Sequence, residues 1–142
     1  MKNAPALLDT SALLALLEDE PGAAEVERRL EIAETGESEV FASFASLTEV
    51  YYVTHQEHGA QRAAEFCAII QGWPVTFVFP DEALCLAAGR LNAMHAISFA
   101  DAFVAASAQQ LGAELIHKDP EYESLADVLK LTPLPYKPRR KA

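Results

Sequence analysis

Positive charge is scarce in this chain. Lys and Arg number 11 against 21 Asp and Glu, which leaves a net charge of -10 over 142 residues and a pI near 4.7. A field of that sign repels phosphate polymers and anionic membranes. Work on a nucleic acid would therefore need a local source of positive charge, and bound metal is the obvious one. Cysteine is also scarce. Cys67 and Cys85 stand alone in apolar, helix-like segments, with no C-x-x-C motif, which excludes a disulfide framework. Both read as small buried hydrophobes of a reducing cytoplasm. The four histidines, His55, His58, His95 and His117, are not at zinc-ligand spacing with either cysteine, and the pair His55 and His58 lacks a third ligand. Long apolar runs are missing too. Residues 7–17 are interrupted by Asp9 and followed by Glu18, Asp19 and Glu20, which a secretion signal does not tolerate. The longest uncharged stretch, residues 66–80, contains Gln71, Gly72, Trp73 and Pro74, so it makes no membrane-spanning helix. The expectation is a soluble, cytoplasmic protein with no membrane partner.

What is present suffices for one packed core: 51% of the residues are apolar and 23% charged. Short β-branched or apolar runs at 6–8, 40–43, 75–79 and 114–117 read as strands, with a fifth at 128–131. Helical segments separate them at 10–17, 23–34, 46–58, 60–71, 82–94 and 98–111, with a short helical turn at 124–127. Pro21-Gly22, Gly59, Gly72-Trp73-Pro74 and Gly112 punctuate the series. Alternation of this kind predicts an α/β fold, a three-layer α/β/α sandwich on a mainly parallel five-stranded sheet. One domain is expected over residues 1–132. Pro133, Pro135 and Pro138, with Lys137, Arg139, Arg140 and Lys141, mark residues 133–142 as a proline-rich basic tail.

In an open parallel sheet, ligands bind beyond the carboxyl ends of the strands where the strand order reverses. Asp9 ends the first strand, and Asp119 follows the fourth by two residues in His117-Lys118-Asp119-Pro120. Ser46-Leu47-Thr48-Glu49 and Ser98-Phe99-Ala100-Asp101 both match a capping box, which places Glu49 and Asp101 in first helical turns. Each acid alone is explained by capping a helix or shaping a turn. Together, four acids sit inside otherwise apolar segments, where desolvation is costly. Two carboxylates about 4 Å apart repel by roughly 1–4 kcal/mol. A divalent cation removes that repulsion, and oxygen-only donors suit Mg²⁺ or Mn²⁺.

These segments resemble the four motifs of PIN-domain ribonucleases, and among them the VapC-type toxins of bacterial toxin–antitoxin pairs. The first is Leu7-Leu8-Asp9-Thr10-Ser11-Ala12-Leu13, the second Thr48-Glu49-Val50, the third residues 98–108 from Ser98 to Ala108, and the fourth Leu115-Ile116-His117-Lys118-Asp119. The resemblance covers nearly the whole chain, in order. It implies a PIN-like sandwich and a Mg²⁺- or Mn²⁺-dependent endoribonuclease with Asp9, Glu49, Asp101 and Asp119 as the acidic quartet. Asp9, Asp101 and Asp119 would be metal ligands, and Ser11 the small hydroxyl residue that follows the first acid. The family's D-x-D-F run is Asp119-Pro120-Glu121-Tyr122 here, which makes Glu121 a secondary candidate. Family members form homodimers and are silenced by a small antitoxin, so RNA, an antitoxin and a second copy are the expected partners.

Lys118, Arg90, Arg62 and the basic tail are candidate phosphate contacts. Tyr51, Tyr52, Val53 and Phe66 are candidates for an interface. Three rival readings compete. A phosphoacceptor receiver domain would use Asp81 and Lys118, but it ends its first strand in an acidic pair where this chain has Asp9 alone. A haloacid-dehalogenase-type phosphatase needs a second Asp where Ser11 stands. A PIN fold that only binds RNA or a partner would not need all four acids.

Overall fold

The computed structural model describes residues 4–138. Five strands form one sheet: β1 (Ala6–Leu8), β2 (Val40–Ser43), β3 (Thr76–Val78), β4 (Glu114–His117) and β5 (Lys130–Pro133). The sheet order is β3-β2-β1-β4-β5 and every pairing is parallel. The helices are α1 (Thr10–Leu17), α2 (Ala23–Glu34), α3 (Phe44–His58), α4 (Ala60–Gln71), α5 (Glu82–Met94) and α6 (Phe99–Leu111), with a 3-10 helix at Pro120–Leu125. The chain moves outward from β1 through β2 to β3, then returns to lay β4 against the free side of β1. The strand order therefore reverses between β1 and β4, whose register pairs Leu7 with Leu115 and Leu8 with Ile116.

Side chains alternate along a strand, and the two faces bury different helices. Leu7 and Leu115 point into a core with Leu84, Ala88 and Leu91 of α5 and residues 102–106 of α6. Ala6, Leu8 and Ile116 point the other way, against Leu13 of α1, Val26 and Leu30 of α2, Val50 of α3, and Phe66 and Ile70 of α4. The result is the α/β/α sandwich that the alternation predicts. Helix α6 has every residue from Asp101 to Ala108 buried, and its small side chains let it pack tightly against the sheet. Among the described residues, no helix is long and apolar enough to cross a membrane.

Several local expectations need correction. Helix α3 starts at Phe44, capped by Ser43, whose hydroxyl accepts from the Ala45 N–H at 3.1 Å. Ser43 ends β2 in extended backbone, so strand passes to helix with no loop, and Ser46 and Glu49 lie further inside than a capping box would place them. The short turn is the 3-10 helix begun by Pro120, and β5 begins at Lys130 and includes Pro133. Proline is tolerated there because β5 is an edge strand. Leu134 follows, buried in the second core. Phe66 belongs to that core as well, which removes it from the candidate interface, while Tyr51 and Tyr52 are exposed. Cys67 is half-buried and Cys85 exposed, so neither is the buried hydrophobe expected.

Gly22, which caps α2, has φ +102°, and a Cβ built there would lie 3.0 Å from Leu134 Cβ. Strain and contact act together, so Gly22→Ala should cost about 1–3 kcal/mol. A drop in the urea midpoint at unchanged m-value checks this; an unchanged midpoint refutes it.

Candidate functional site

The acids gather at the carboxyl ends of β1 and β4. Asp9 caps α1 and is 4% exposed; Asp101, in the first turn of α6, is 8% exposed. Asp119 is half-buried and caps the 3-10 helix, accepting from the Glu121 N–H at 3.0 Å. One carboxylate oxygen from each of Asp101, Asp119 and Glu121 lies within 4.8 Å of the others. The link between Asp9 and Asp101 is Tyr122. Its hydroxyl lies 2.8 Å from Asp9 Oδ1 and 2.9 Å from Asp101 Oδ1. Asp9 Oδ2 accepts from the Ser11 hydroxyl at 2.7 Å and the Ser11 N–H at 3.2 Å. Ser11 Oγ in turn accepts from the Lys118 N–H at 2.9 Å, tying the β1 and β4 ends together.

Glu49 enters from the second turn of α3. Its Oε1 accepts from the Thr10 hydroxyl at 2.7 Å, and Thr10 Oγ1 is also 2.9 Å from Ser46 Oγ. Thr10 has one hydroxyl proton, which goes to the carboxylate, and Ser46 then donates to Thr10. Tyr52 donates to Glu49 Oε2 at a longer 3.4 Å.

Burial pushes the Asp101 carboxyl up to about 7, reinforced by the charge of Asp9 and opposed by the Tyr122 hydrogen bond. Glu49 is also raised, first by burial and then by the charge of Asp9, against the Thr10 hydrogen bond. Burial and the two aspartates hold the Tyr122 phenol above its ordinary range, which keeps it a donor.

The two ends of the sheet treat buried acids differently. At the amino end, Glu114 is 9% exposed and is paired with Arg29, with Lys130 Nζ at 3.7 Å. At the carboxyl end, no ion pair among the described residues reaches Asp9, Glu49, Asp101, Asp119 or Glu121. Lys118 does not supply one. Its ammonium donates to the Pro21 carbonyl at 2.8 Å and lies 3.6 Å from Glu20, so it is a buried brace and not a free phosphate contact. His117 is fully buried, and its Nδ1 accepts from the Asp119 N–H at 3.1 Å, which removes that nitrogen as a ligand. Burial lowers its pKa and favours the neutral ring. His117 Nε2 is buried without a hydrogen-bond partner, but among the described residues no histidine or cysteine atom joins the Asp101, Asp119 and Glu121 group, whose carboxylate oxygens fit a hard divalent cation.

Of the candidate residues, Asp101, Asp119 and the secondary candidate Glu121 come within 4.8 Å of one another, Asp9 is joined to Asp101 through Tyr122 and to the secondary candidate Ser11, and Glu49 bonds to Thr10 and Tyr52 and to no other acid. Thr10, Ser46 and the Tyr122 hydroxyl were not read as site members from sequence; only the aromatic after Glu121 marked that position. His58, expected to lack a third ligand, lies with Glu18 and Glu57 in a second group within 4.8 Å, in which His58 and Glu57 are exposed and Glu18 is half-buried, and which the His58–Glu18 contact at 3.2 Å already explains. Arg62 is exposed and 3.3 Å from Glu65, Arg90 is exposed on α5, and Arg139, Arg140 and Lys141 lie outside the described residues.

The PIN domain family model matches residues 6–128. A chain of the VapBC2 complex from Rickettsia felis, bound to a DNA fragment from its promoter, superposes with TM-score 0.72 at 14% identity, covering 92% of this chain and 98% of that one. VapC20 of Mycobacterium tuberculosis, described as a Sarcin-Ricin loop cleaving toxin, gives 0.65 at 17% identity, over 88% and 98%. VapBC-1 from nontypeable Haemophilus influenzae gives 0.63 at 21% identity, over 90% and 96%. No curated protein sequence matches the chain.

The raised Asp101 carboxyl fixes a sign for stability against pH. The folded protein keeps a proton that the unfolded chain releases, so the metal-free protein loses stability as pH climbs from about 4 through about 7. In chelator, Asp101→Asn should melt several degrees above the wild type at pH 8, with the gap narrowing at pH 5. Equal gaps at the two pH values refute Asp101 as the group responsible.

Proposed function

The chain belongs to the PIN domain family, and on that premise we propose that it is a Mg²⁺- or Mn²⁺-dependent endoribonuclease, the toxin of a toxin–antitoxin pair. The observation that carries this reading is the uncompensated carboxylate cluster at the β1–β4 switch point, with Asp9 and Asp101 joined at one hydroxyl and Asp119 and Glu121 alongside. Nuclease chemistry on a phosphodiester is what such a cluster performs once a divalent cation offsets its charge.

In this proposal Asp9, Asp101 and Asp119 hold the metal, with Glu121 as a further oxygen donor. When bound, the cation supplies charge neutralisation at the scissile phosphate and makes a water nucleophilic near neutral pH. Glu49 orients the attacking water and accepts its proton, a role suited to a carboxylate whose proton affinity burial has raised. Ser11 fixes Asp9, because its hydroxyl and N–H both donate to Oδ2. Thr10 does the same for Glu49. In-line displacement would leave 5′-phosphate and 3′-hydroxyl ends, as the family resemblance implies.

The partner assignments are part of the same proposal. Solved structures similar in fold include VapBC complexes, and one similar toxin is described as cleaving the sarcin–ricin loop. We assign to this chain an RNA substrate, a small cognate antitoxin, a homodimeric state and a cytoplasmic location. The exposed Tyr51 and Tyr52 of α3 offer apolar area for a protein partner.

Purified protein with Mn²⁺ should cut RNA, and chelator should stop it. Asp9→Asn and Asp101→Asn should each lose at least about 100-fold in rate. Equal cleavage by all three proteins would point to a contaminating nuclease and sink the assignment. No cleavage of any RNA, with no heat of Mn²⁺ binding in calorimetry, would identify a non-catalytic PIN scaffold instead.

A further inference from the structure

The Tyr122 phenol oxygen touches one oxygen of each buried aspartate, at 2.8 Å from Asp9 and 2.9 Å from Asp101. Tyr122 is fully buried, packs in the core with Leu125 and Leu129, and meets the His117 ring in a T-shaped contact at 5.1 Å between centroids. His117 is itself fixed by the Asp119 N–H. The packing places the hydroxyl between Asp9 Oδ1 and Asp101 Oδ1. Asp9 Oδ2 is engaged by Ser11, whereas Asp101 shares its neighbourhood with Asp119 and Glu121.

We propose that Tyr122 is a positioning residue whose hydroxyl stands in for the cation in the metal-free protein, holding Asp9 and Asp101 together. The inference rests on the metal site proposed above. Its physical basis is the cost of two unpaired buried carboxylates: a hydrogen bond to a charged group contributes more than one between neutral groups, and its loss leaves the full desolvation penalty. One hydroxyl proton cannot fully serve two carboxylates, so the pair is stabilised in part and retains an appetite for a cation. Removing the hydroxyl removes the partial compensation and leaves the metal with more to relieve.

The test compares wild type, Tyr122→Phe, Asp101→Asn and the double variant in two measurements. In chelator at pH 8, Tyr122→Phe should lower the melting temperature strongly in the wild-type background and much less beside Asp101→Asn, where the Asp101 charge is gone. With Mn²⁺ added, Tyr122→Phe should gain more in melting temperature than the wild type does. Its Mn²⁺ dissociation constant by calorimetry should fall roughly tenfold. A Tyr122→Phe protein that folds only with Mn²⁺ present gives the same answer. Additive effects in chelator, or a metal-induced gain no larger than that of the wild type, overturn the proposal. Failure of the wild type to bind Mn²⁺ overturns the metal reading separately. The metal-free comparison then decides whether the hydroxyl couples the two aspartates.

Discussion

Asp9 and Asp101 come from different elements, one ending a strand and one opening a helix, and both end on the oxygen of Tyr122. That shared hydrogen bond sets what the surrounding structure must do. Ser11 must take the other oxygen of Asp9, and in doing so it accepts from Lys118 and locks β1 to β4. The Tyr122 ring is held by its inclined contact with the His117 ring and by the α6-side core. His117 in turn needs Asp119 in place to engage its Nδ1. The 3-10 helix after β4 is thus part of the site's frame: it carries Asp119 at its cap, Glu121 in its first turn and Tyr122 on its buried side.

The parallel sheet explains why this concentration of charge is possible at all. The strand order reverses between β1 and β4, and every acid there arrives from a strand end or an early helical turn. The fold is not averse to pairing buried acids with cations, since Glu114 has Arg29 at the opposite end of the same strand. The lack of such a pair at the carboxyl end is therefore a property of that end. Structural carboxylates would gain from a lysine or arginine, and Lys118 is the nearest in sequence. Its ammonium is turned toward Pro21 and Glu20 instead. Charge left open in this way is what a cation-dependent site requires.

Much of this was legible in the residues. Asp9 after an apolar triplet, and Asp101 three residues after Ser98, announce their positions because strand ends and first turns have local signatures; the Ser98 hydroxyl does accept from the Asp101 N–H at 3.1 Å. Glu49 was legible as a member of the acid set but not in its place. Ser43 and Ser46 are both good caps, and the choice between them depends on where β2 ends, which its pairing with β3 decides. The Thr10–Glu49 and Tyr122–Asp9 bonds span 39 and 113 positions, and no local pattern encodes them. Lys118 misled for a related reason. A lysine beside a site acid reads as a phosphate contact, and only the tertiary packing shows its side chain running the other way along the chain to Glu20.

The acidic surface bears on how a polyanion could be held. The basic residues of the described chain are largely engaged by its own acids: Arg28 and Arg29 by Glu25, Arg62 by Glu65, Lys130 by Glu114, and Lys118 and Lys137 by Glu20. A track of free cations along which a phosphate backbone could lie is not built from them, and the net charge of -10 opposes long-range attraction. Recognition of the proposed RNA then falls to short-range contacts at the site itself. On the proposed reading, a cation held by Asp9, Asp101 and Asp119 would supply at that point the positive charge that the rest of the described surface keeps engaged.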